Sequence, residues 1–131
     1  KRLPSEEEWE VAASGQEHFL YPWGETSDTT RANSKEFGAK SVRTVGSVKT
    51  SKSPFGAFDM IGNVWEWTSS IPKPYPNSKS EPIKEAENKR VFRGGSFQES
   101  IEYCTTTFRG FDSLEKAYPT LGFRCAKDIQ K

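Results

Sequence analysis

Histidine and cysteine, which supply many transition-metal sites, are scarce in this chain of 131 residues. The single histidine, His18, provides no cluster of imidazole ligands, so a metal centre built from several histidines is not expected. The two cysteines, Cys104 and Cys125, are too few for a disulfide scaffold. They could bridge each other, remain thiols or pair outside the chain, and the sequence leaves these alternatives open.

Long apolar runs and an excess of one charge are also missing. No run approaches the length of a membrane span, so membrane insertion is not expected. The 19 basic residues nearly balance the 18 acidic ones, which argues against a nucleic-acid partner. No signal peptide is visible, and the chain begins with Lys1 rather than Met. We therefore expect a portion of a longer protein, with its compartment unassigned.

Aromatic residues are abundant by contrast. They make up 13% of the chain, with nine Phe, four Trp and four Tyr, while all hydrophobic residues together reach 33%. Such a composition predicts a single domain over residues 1–131, with one modest core that relies on a few large rings.

One short helix is predicted near the start of the chain. Ser5 is a good N-cap, and Glu8 completes a capping box three residues later. Trp9 and Ala13 fall on one face, and Gly15 ends the helix.

The rest of the sequence predicts short strands separated by long loops. A proline-rich loop is expected over 71–89. Alternation and β-branched or aromatic residues predict short strands, which are placed around Val45 and over 64–68, 90–92, 103–108 and 122–126. One helix with many short strands indicates an α+β fold.

Several sequence blocks resemble those of the formylglycine-generating enzyme, or sulfatase-modifying factor, family. In order, they are KRLPSEEEWE at 1–10, YPWG at 21–24, FGAFDMIGNVWEW at 55–67, RGGSF at 93–97 and GFRC at 122–125. The resemblance implies a C-type-lectin-like fold, of which this chain is the C-terminal portion. It implies no single activity, because the family includes copper oxidases, iron enzymes, hypervariable binding proteins and modules appended to bacterial kinases.

The oxidases of this family bind Cu(I) through two cysteines five residues apart, shortly after the Gly-Gly-Ser block. Ser96 matches the family's serine, and Cys104 falls at the second cysteine position. The first cysteine position is Glu99, and a carboxylate is a poor ligand for soft Cu(I). Copper is therefore not expected. The structural interpretation of Cys104 is a small buried side chain.

The resemblance also implies a structural calcium site in the block that follows Phe58. Its ligands would be the side chains of Asp59 and Glu66 with the carbonyls of Gly62 and Val64, a donor set that suits Ca²⁺. Alternatively, Asp59 and Asn63 make side-chain turns and Glu66 pairs with an arginine. A second family site would begin at Asn33, but its loop is shortened here and that site is not predicted.

The remaining prominent side chains have structural interpretations. Trp65 and Trp67 should point to the side of a strand opposite to Glu66 and pack in the core. Three arginines are expected to pair with carboxylates inside the fold: Arg93, Arg109 and Arg124.

The irregular segment 97–118 is the predicted recognition surface. In family enzymes this region lines the substrate groove, and loops on a rigid scaffold often carry recognition. Its candidate contact residues are Phe97, Gln98, Glu99, Tyr103, Thr105, Thr107, Phe111 and Asp112.

These observations favour a non-catalytic binding or regulatory module of a larger bacterial protein, such as a protein kinase. Its expected partners are a protein or peptide ligand and the N-terminal half of the domain or a parent protein. Two alternatives stay open: an oxidase that uses Cys104, and a ligand-binding protein diversified by a retroelement.

Overall fold

The computed structural model describes residues 1–130, and its α-helix lies where the sequence predicts it. Helix α1 spans Glu6–Ser14. The Glu8 amide donates to Ser5 Oγ at 3.1 Å, and the Ser5 amide donates to Glu8 Oε2 at 2.7 Å. Gly15 ends the helix at a φ of 73°. The predicted capping box and stop are confirmed, because both depend on local chemistry.

Four short strands form one sheet in the order β3-β2-β1-β4. Strand β2 is antiparallel to β1 and β3, and β4 is parallel to β1. The strands are β1 at Trp65–Trp67, β2 at Lys89–Arg93, β3 at Arg109–Ser113 and β4 at Leu121–Phe123. The α+β prediction is confirmed, and β1, β2 and β4 overlap predicted strands. Within residues 1–130, no helix has the length and hydropathy of a membrane span.

Two strand predictions are wrong. Val45 lies in a turn and is 81% exposed, because Asn63 Oδ1 holds the Arg43 amide and Asp59 Oδ2 holds the Gly46 amide, at 2.8 and 2.6 Å. The strand predicted over 103–108 begins only at Arg109.

A 3₁₀ turn at Ile101–Tyr103 lies where that strand was predicted to begin. The Cys104 amide donates to the Ile101 carbonyl at 3.0 Å, which curls the backbone away from an extended conformation. The strand predicted over 122–126 is shorter, and an isolated bridge joins Ala126 to Arg2 beyond it. The loop predicted over 71–89 is confirmed up to residue 88, with a 3₁₀ turn at Ala86–Asn88, and Lys89 already belongs to β2.

Helix α1 covers one face of the sheet and contributes Trp9 to the buried core. Trp9 is 1% exposed, and its indole N–H donates to Glu66 Oε2 at 2.7 Å. Met60 and Ile61, each 1% exposed, pack in the same cluster. Among the described residues only Trp9 and Tyr21 are aromatic members of the buried core. The prediction of a core that relies on a few large rings is therefore wrong, because most buried hydrophobic residues are aliphatic and most rings lie at or near the surface.

Three arginines, of which Arg93 is buried, confirm the predicted pairing with carboxylates. Arg93 is 1% exposed, and its guanidinium lies 2.8 Å from Glu6 and 2.6 Å from Glu10 on α1. Arg109 approaches Glu6 at 3.1 Å, and Arg124 approaches Glu66 at 2.6 Å. These pairs attach the helix and the last strand to the sheet.

The opposite face of the sheet is aromatic and only half-buried. Trp65 and Trp67 point away from Glu66 as predicted, but they do not pack in the core. Phe92 lies between them, with ring centroids 5.2 Å from Trp65 and 5.4 Å from Trp67 at steep angles. The core-packing prediction for the two tryptophans is wrong, because α1 covers the Glu66 side of the sheet.

Candidate functional site

The positions that correspond to the oxidase site form a closed turn. Ser96 and Cys104 are fully buried. The Glu99 carboxylate accepts a hydrogen bond from the Ser96 amide at 2.9 Å and another from the Ser96 hydroxyl. One Glu99 carboxylate oxygen is thus bound to the turn that carries Ser96.

Cys104 is a buried, protonated thiol. Its Sγ lies so close to the Gly95 backbone that a Cβ added at Gly95 would be 2.5 Å from the sulfur. Burial raises the pKa of Cys104 to about 12, and the carboxylates of Glu99 and Glu36 shift it in the same direction. Thiolate is the form that binds metals and attacks electrophiles, so this position is unsuited to either role.

The other cysteine lies in a different environment. Cys125 is exposed, and neither cysteine is in a disulfide. The bridge between Cys104 and Cys125 that the sequence left open does not form.

These environments predict unequal thiol reactivity. In the native protein, Ellman's reagent should react quickly with one thiol, and the second should react only after urea is added. A Cys125→Ser variant should lose the fast phase, and Cys104→Ser should keep it. Rapid reaction of the remaining thiol in native Cys125→Ser, or of both thiols in the native wild type, would contradict the assignment of Cys104 as buried and protonated.

The predicted calcium loop folds as a series of tight turns. Asp59 has a φ of 54° and Gly62 a φ of 72°. Asp59 Oδ2 accepts the Gly46 amide at 2.6 Å, and Oδ1 accepts the Ser51 hydroxyl at 3.3 Å. Asp59 therefore accepts hydrogen bonds from residues 13 and 8 positions away, instead of making the local side-chain turn that the sequence offered as the alternative to metal binding.

Glu66 is paired with an arginine, as in the same alternative. Arg124 donates to both Glu66 oxygens, at 2.6 and 2.8 Å, and Trp9 donates to one of them. Arg124 also donates to the Phe58 and Asp59 carbonyls, at 3.0 and 3.2 Å. The guanidinium thus occupies the position between the Asp59 backbone and the Glu66 carboxylate.

In this arrangement the Glu66 side chain is not available as a calcium ligand. Ca²⁺ takes six to eight oxygens, and both Glu66 oxygens already accept N–H groups. Within residues 1–130 no three acidic, histidine or cysteine side chains form a metal-binding group. The second calcium site of the family would begin at Asn33. The Oδ1 atom of this residue is buried without a hydrogen-bond partner. Calcium binding, which the family resemblance implies, is left to experiment, and the pairing of Glu66 with Arg124 argues against it.

A thermal unfolding experiment tests calcium binding directly. A ligand whose free concentration is one hundred times its Kd stabilises the folded protein by about 2.7 kcal/mol. Because Arg124 already neutralises Glu66, we expect the Tm in millimolar CaCl₂ to match the Tm in EDTA. A Tm that rises with calcium in the wild type, but not in a Glu66→Gln variant, would show that the metal displaces Arg124.

The predicted recognition residues do not form one surface. Tyr103 is 53% exposed, and its ring lies 5.6 Å from that of Phe108. Phe111 pairs with Val91 in the sheet register and so lies on the opposite face from Phe92. Phe97 is half-buried and Gln98 is exposed on the turn after Ser96.

The polar recognition candidates are also divided. The Thr105 and Thr107 hydroxyls lie 3.5 Å apart near the exposed end of the segment. Asp112 accepts a hydrogen bond from the Tyr118 hydroxyl at 2.6 Å. Glu99 contacts Ser96, so the exposed Tyr103 and Thr107 and the half-buried Thr105 remain as one group at this end of the segment.

The 3₁₀ turn that presents Tyr103 is fixed by a residue that sequence reasoning missed. Glu36 accepts the Ser100 hydroxyl at 2.5 Å and the Ile101 amide at 2.9 Å. The hydrogen bond from Ser100 is the largest cause that lowers the pKa of Glu36 to about 2. The partners are 64 and 65 residues apart, and no local pattern in the sequence marks the contact.

The aromatic face is the second feature that sequence reasoning missed. We use this name for Trp65, Trp67, Phe92, Phe108 and Tyr103. Phe108 links the sheet to the turn, because its ring centroid lies 5.9 Å from Trp65 and 5.6 Å from Tyr103. The Trp-Glu-Trp alternation signalled two rings on one side, but only the position of α1 decides that this side faces outward.

Comparisons with known proteins agree with the fold and the motif positions. The model of the sulfatase-modifying factor enzyme 1-like domain matches residues 1–129. The serine/threonine-protein kinase pkn1 of Chlamydia pneumoniae is 37% identical over 98% of this chain and 21% of its own length. The inactive C-alpha-formylglycine-generating enzyme 2 of Bos taurus is 33% identical over 96% of the chain and 44% of its own.

An enzyme and a solved structure complete the comparison. The formylglycine-generating enzyme of Mycobacterium tuberculosis is 32% identical over 98% of the chain and 51% of its own length. The structure of Treponema denticola variable protein 1 superposes with a TM-score of 0.79 and 30% identity, covering 93% of this chain and 45% of that one. The chain thus spans between about a fifth and a half of the relatives named here. It belongs to the sulfatase-modifying factor enzyme 1-like domain family, with the fold of the formylglycine-generating enzymes.

Proposed function

We propose that this chain is a non-catalytic binding or regulatory module whose ligand is a protein or peptide. The observation that carries the proposal is the state of Cys104. This thiol is fully buried, its pKa is raised to about 12, and Glu99 stands where the oxidases have their other cysteine. Cu(I) requires soft thiolate ligands, and this turn offers a neutral thiol and a hydrogen-bonded carboxylate.

The proposed recognition surface is the aromatic face together with Thr105 and Thr107. Tyr103 and Phe108 are 53% and 40% exposed. Exposed aromatic groups of this kind are common at protein interaction sites. Glu36 fixes the turn that carries Tyr103, so this part of the surface requires little ordering when a partner binds.

The named relatives support use as a module without deciding the activity. A domain of this family is found within a kinase in Chlamydia pneumoniae and within a protein named as inactive in Bos taurus. The similarity to the Mycobacterium tuberculosis enzyme supports the alternative of an oxidase that uses Cys104.

An oxidation assay separates these functions. The purified protein is incubated with Cu(I), oxygen and a cysteine-containing sulfatase peptide, and aldehyde formation is measured by mass spectrometry. We expect no aldehyde, and Cu(I) binding no greater than in a Cys104→Ser variant. Aldehyde formed by the wild type and lost in Cys104→Ser would refute the proposal. The Mycobacterium tuberculosis formylglycine-generating enzyme serves as the positive control.

A second candidate function is favoured by the structural similarity to Treponema denticola variable protein 1. In this alternative the chain is a ligand-binding protein diversified by a retroelement. Sibling copies from one genome would then differ mainly at exposed positions between Phe97 and Arg109. Variation spread evenly over the chain would argue against it.

A further inference from the structure

A groove of about 760 Å³ runs between α1 and the start of the proline-rich loop. Its volume lies within the range of ligand pockets in proteins. It lies outside the aromatic face and the Ser96–Cys104 turn, since none of their residues lines it. We call it the α1 groove and define it by Glu7, Glu10, Val11, Ile71, Lys73 and Tyr75.

The loop wall of the groove is held in place by the fold. The Arg109 guanidinium lies 4.1 Å from the centroid of the Tyr75 ring, and the Tyr75 hydroxyl donates to the Thr107 carbonyl at 3.3 Å. At the other end, the Glu6 amide donates to Ser70 Oγ at 2.8 Å. Because these contacts exist without a ligand, little conformational entropy is lost when the groove is filled.

The sides of the groove are apolar and accessible. Val11 on α1 is 44% exposed, and Ile71 and Tyr75 on the loop are 40% and 50% exposed. Three large apolar side chains around one concave site provide a binding place for an aliphatic side chain.

The charges in the floor of the groove neutralise one another. Arg93 is bound by Glu6 and Glu10, and Arg109 is bound by Glu6. Two guanidinium groups and two carboxylates are therefore already matched before a ligand enters. These buried pairs leave no unpaired arginine to attract an anion.

The helix wall carries one unpaired carboxylate and one free acceptor oxygen. Glu10 uses only Oε2 for Arg93, and among residues 1–130 its Oε1 has no hydrogen-bond donor. Glu7 is exposed, and neither a salt bridge nor a side-chain hydrogen bond engages it in the described part of the chain. On the facing rim the ammonium group of Lys73 is similarly unpaired. A cationic side chain placed against α1 is attracted by the charge of Glu7 and can donate a hydrogen bond to the free oxygen of Glu10, whose charge Arg93 already neutralises.

We propose that the α1 groove binds a peptide segment of a partner protein in which an aliphatic residue is followed by arginine or lysine. The aliphatic side chain lies between Val11, Ile71 and Tyr75, and the cationic side chain reaches Glu7 and Glu10. The site is independent of the aromatic face, so one module presents two separate binding surfaces.

NMR titration of the ¹⁵N-labelled chain tests the proposal. The probes are the capped peptides acetyl-Gly-Leu-Arg-Gly-amide and acetyl-Gly-Leu-Glu-Gly-amide. We expect the arginine peptide to shift the amide signals of Val11, Ile71 and Tyr75, while Trp65 and Tyr103 stay unchanged. Equal shifts with the glutamate peptide, or no shift of these signals at millimolar arginine peptide, would overturn the proposal.

A charge-reversal pair provides the matched control. Glu7→Lys should weaken binding of the arginine peptide by about five-fold or more, because it replaces the nearest free carboxylate by a like charge. Glu25→Lys makes the same change at an exposed glutamate outside the groove and should leave the affinity unchanged. Equal affinities of the two variants would overturn the proposed role of α1. The oxidation assay is unaffected by either result, so the two proposals fail separately.

Discussion

Replacement of Arg93 by leucine should destabilise the protein by about 3–5 kcal/mol, the range expected when a buried ion pair loses one partner. Arg93 is 1% exposed and binds Glu6, Glu10 and the Thr106 carbonyl, the last at 2.7 Å. In Arg93→Leu, Glu6 stays buried with only Arg109 to neutralise it. Urea unfolding followed by circular dichroism measures the loss, and it should appear as a lower midpoint or an unfolded protein.

Two controls show whether the geometry or the charge matters at Arg93. Arg93→Lys keeps the charge but cannot bind Glu6, Glu10 and Thr106 together. Its urea midpoint should therefore lie between those of Arg93→Leu and the wild type. Arg31→Leu removes an arginine that is 38% exposed and lies 3.5 Å from Asp28 and 5.7 Å from the Trp23 ring centroid, so its midpoint should change far less. A midpoint for Arg93→Leu equal to that of Arg31→Leu would show that the buried pairs do not stabilise the fold.

Replacement of Gly62 by alanine should have the second-largest effect. Gly62 has a φ of 72°, and a Cβ there would lie 2.8 Å from the Asn33 carbonyl oxygen and 2.9 Å from its carbon. That oxygen also accepts the Asn63 amide at 2.8 Å, so it cannot move without losing a hydrogen bond. Backbone strain and overpacking together predict a loss of about 2–4 kcal/mol in urea unfolding.

Gly38→Ala is the matched control for this prediction. Gly38 has a φ of 83°, but a Cβ there would meet nothing within 4 Å. This variant should therefore show only the cost of left-handed backbone, about 1 kcal/mol. If Gly38→Ala and Gly62→Ala lose the same stability, the close approach of the Asn33 backbone has no energetic consequence.

The parts of the fold that the sequence predicts are those decided by local chemistry. The cap at Ser5 and Glu8 and the stop at Gly15 involve neighbours within a few residues, and all three lie as predicted. Family resemblance extends this to the fold as a whole. The pairing of arginines with carboxylates was predicted by residue type, because buried charges require partners.

The parts that the sequence could not predict depend on distant contacts. Segment 103–108 has strand-forming residues, yet the strand is Arg109–Ser113, which contains Gly110 and Asp112 and is specified by pairing with β2. The exposure of Trp65 follows from which side α1 covers, and alternation alone is the same for both sides. At the candidate site, the Glu99 substitution was visible in the sequence, but its hydrogen bonds to Ser96 were not.

The attachment of α1 has a consequence for the order of folding during synthesis. The helix has nine residues, and helices of that length are marginal in water without tertiary contacts. Glu6 and Arg93 are 87 residues apart, and ribosomes add about 5–20 residues per second, so roughly 4–17 s pass before the arginine is synthesised. Until then Glu6 and Trp9 have no sheet to pack against. We infer that docking of the helix is a late event, completed only after β2 and β3 have left the ribosome.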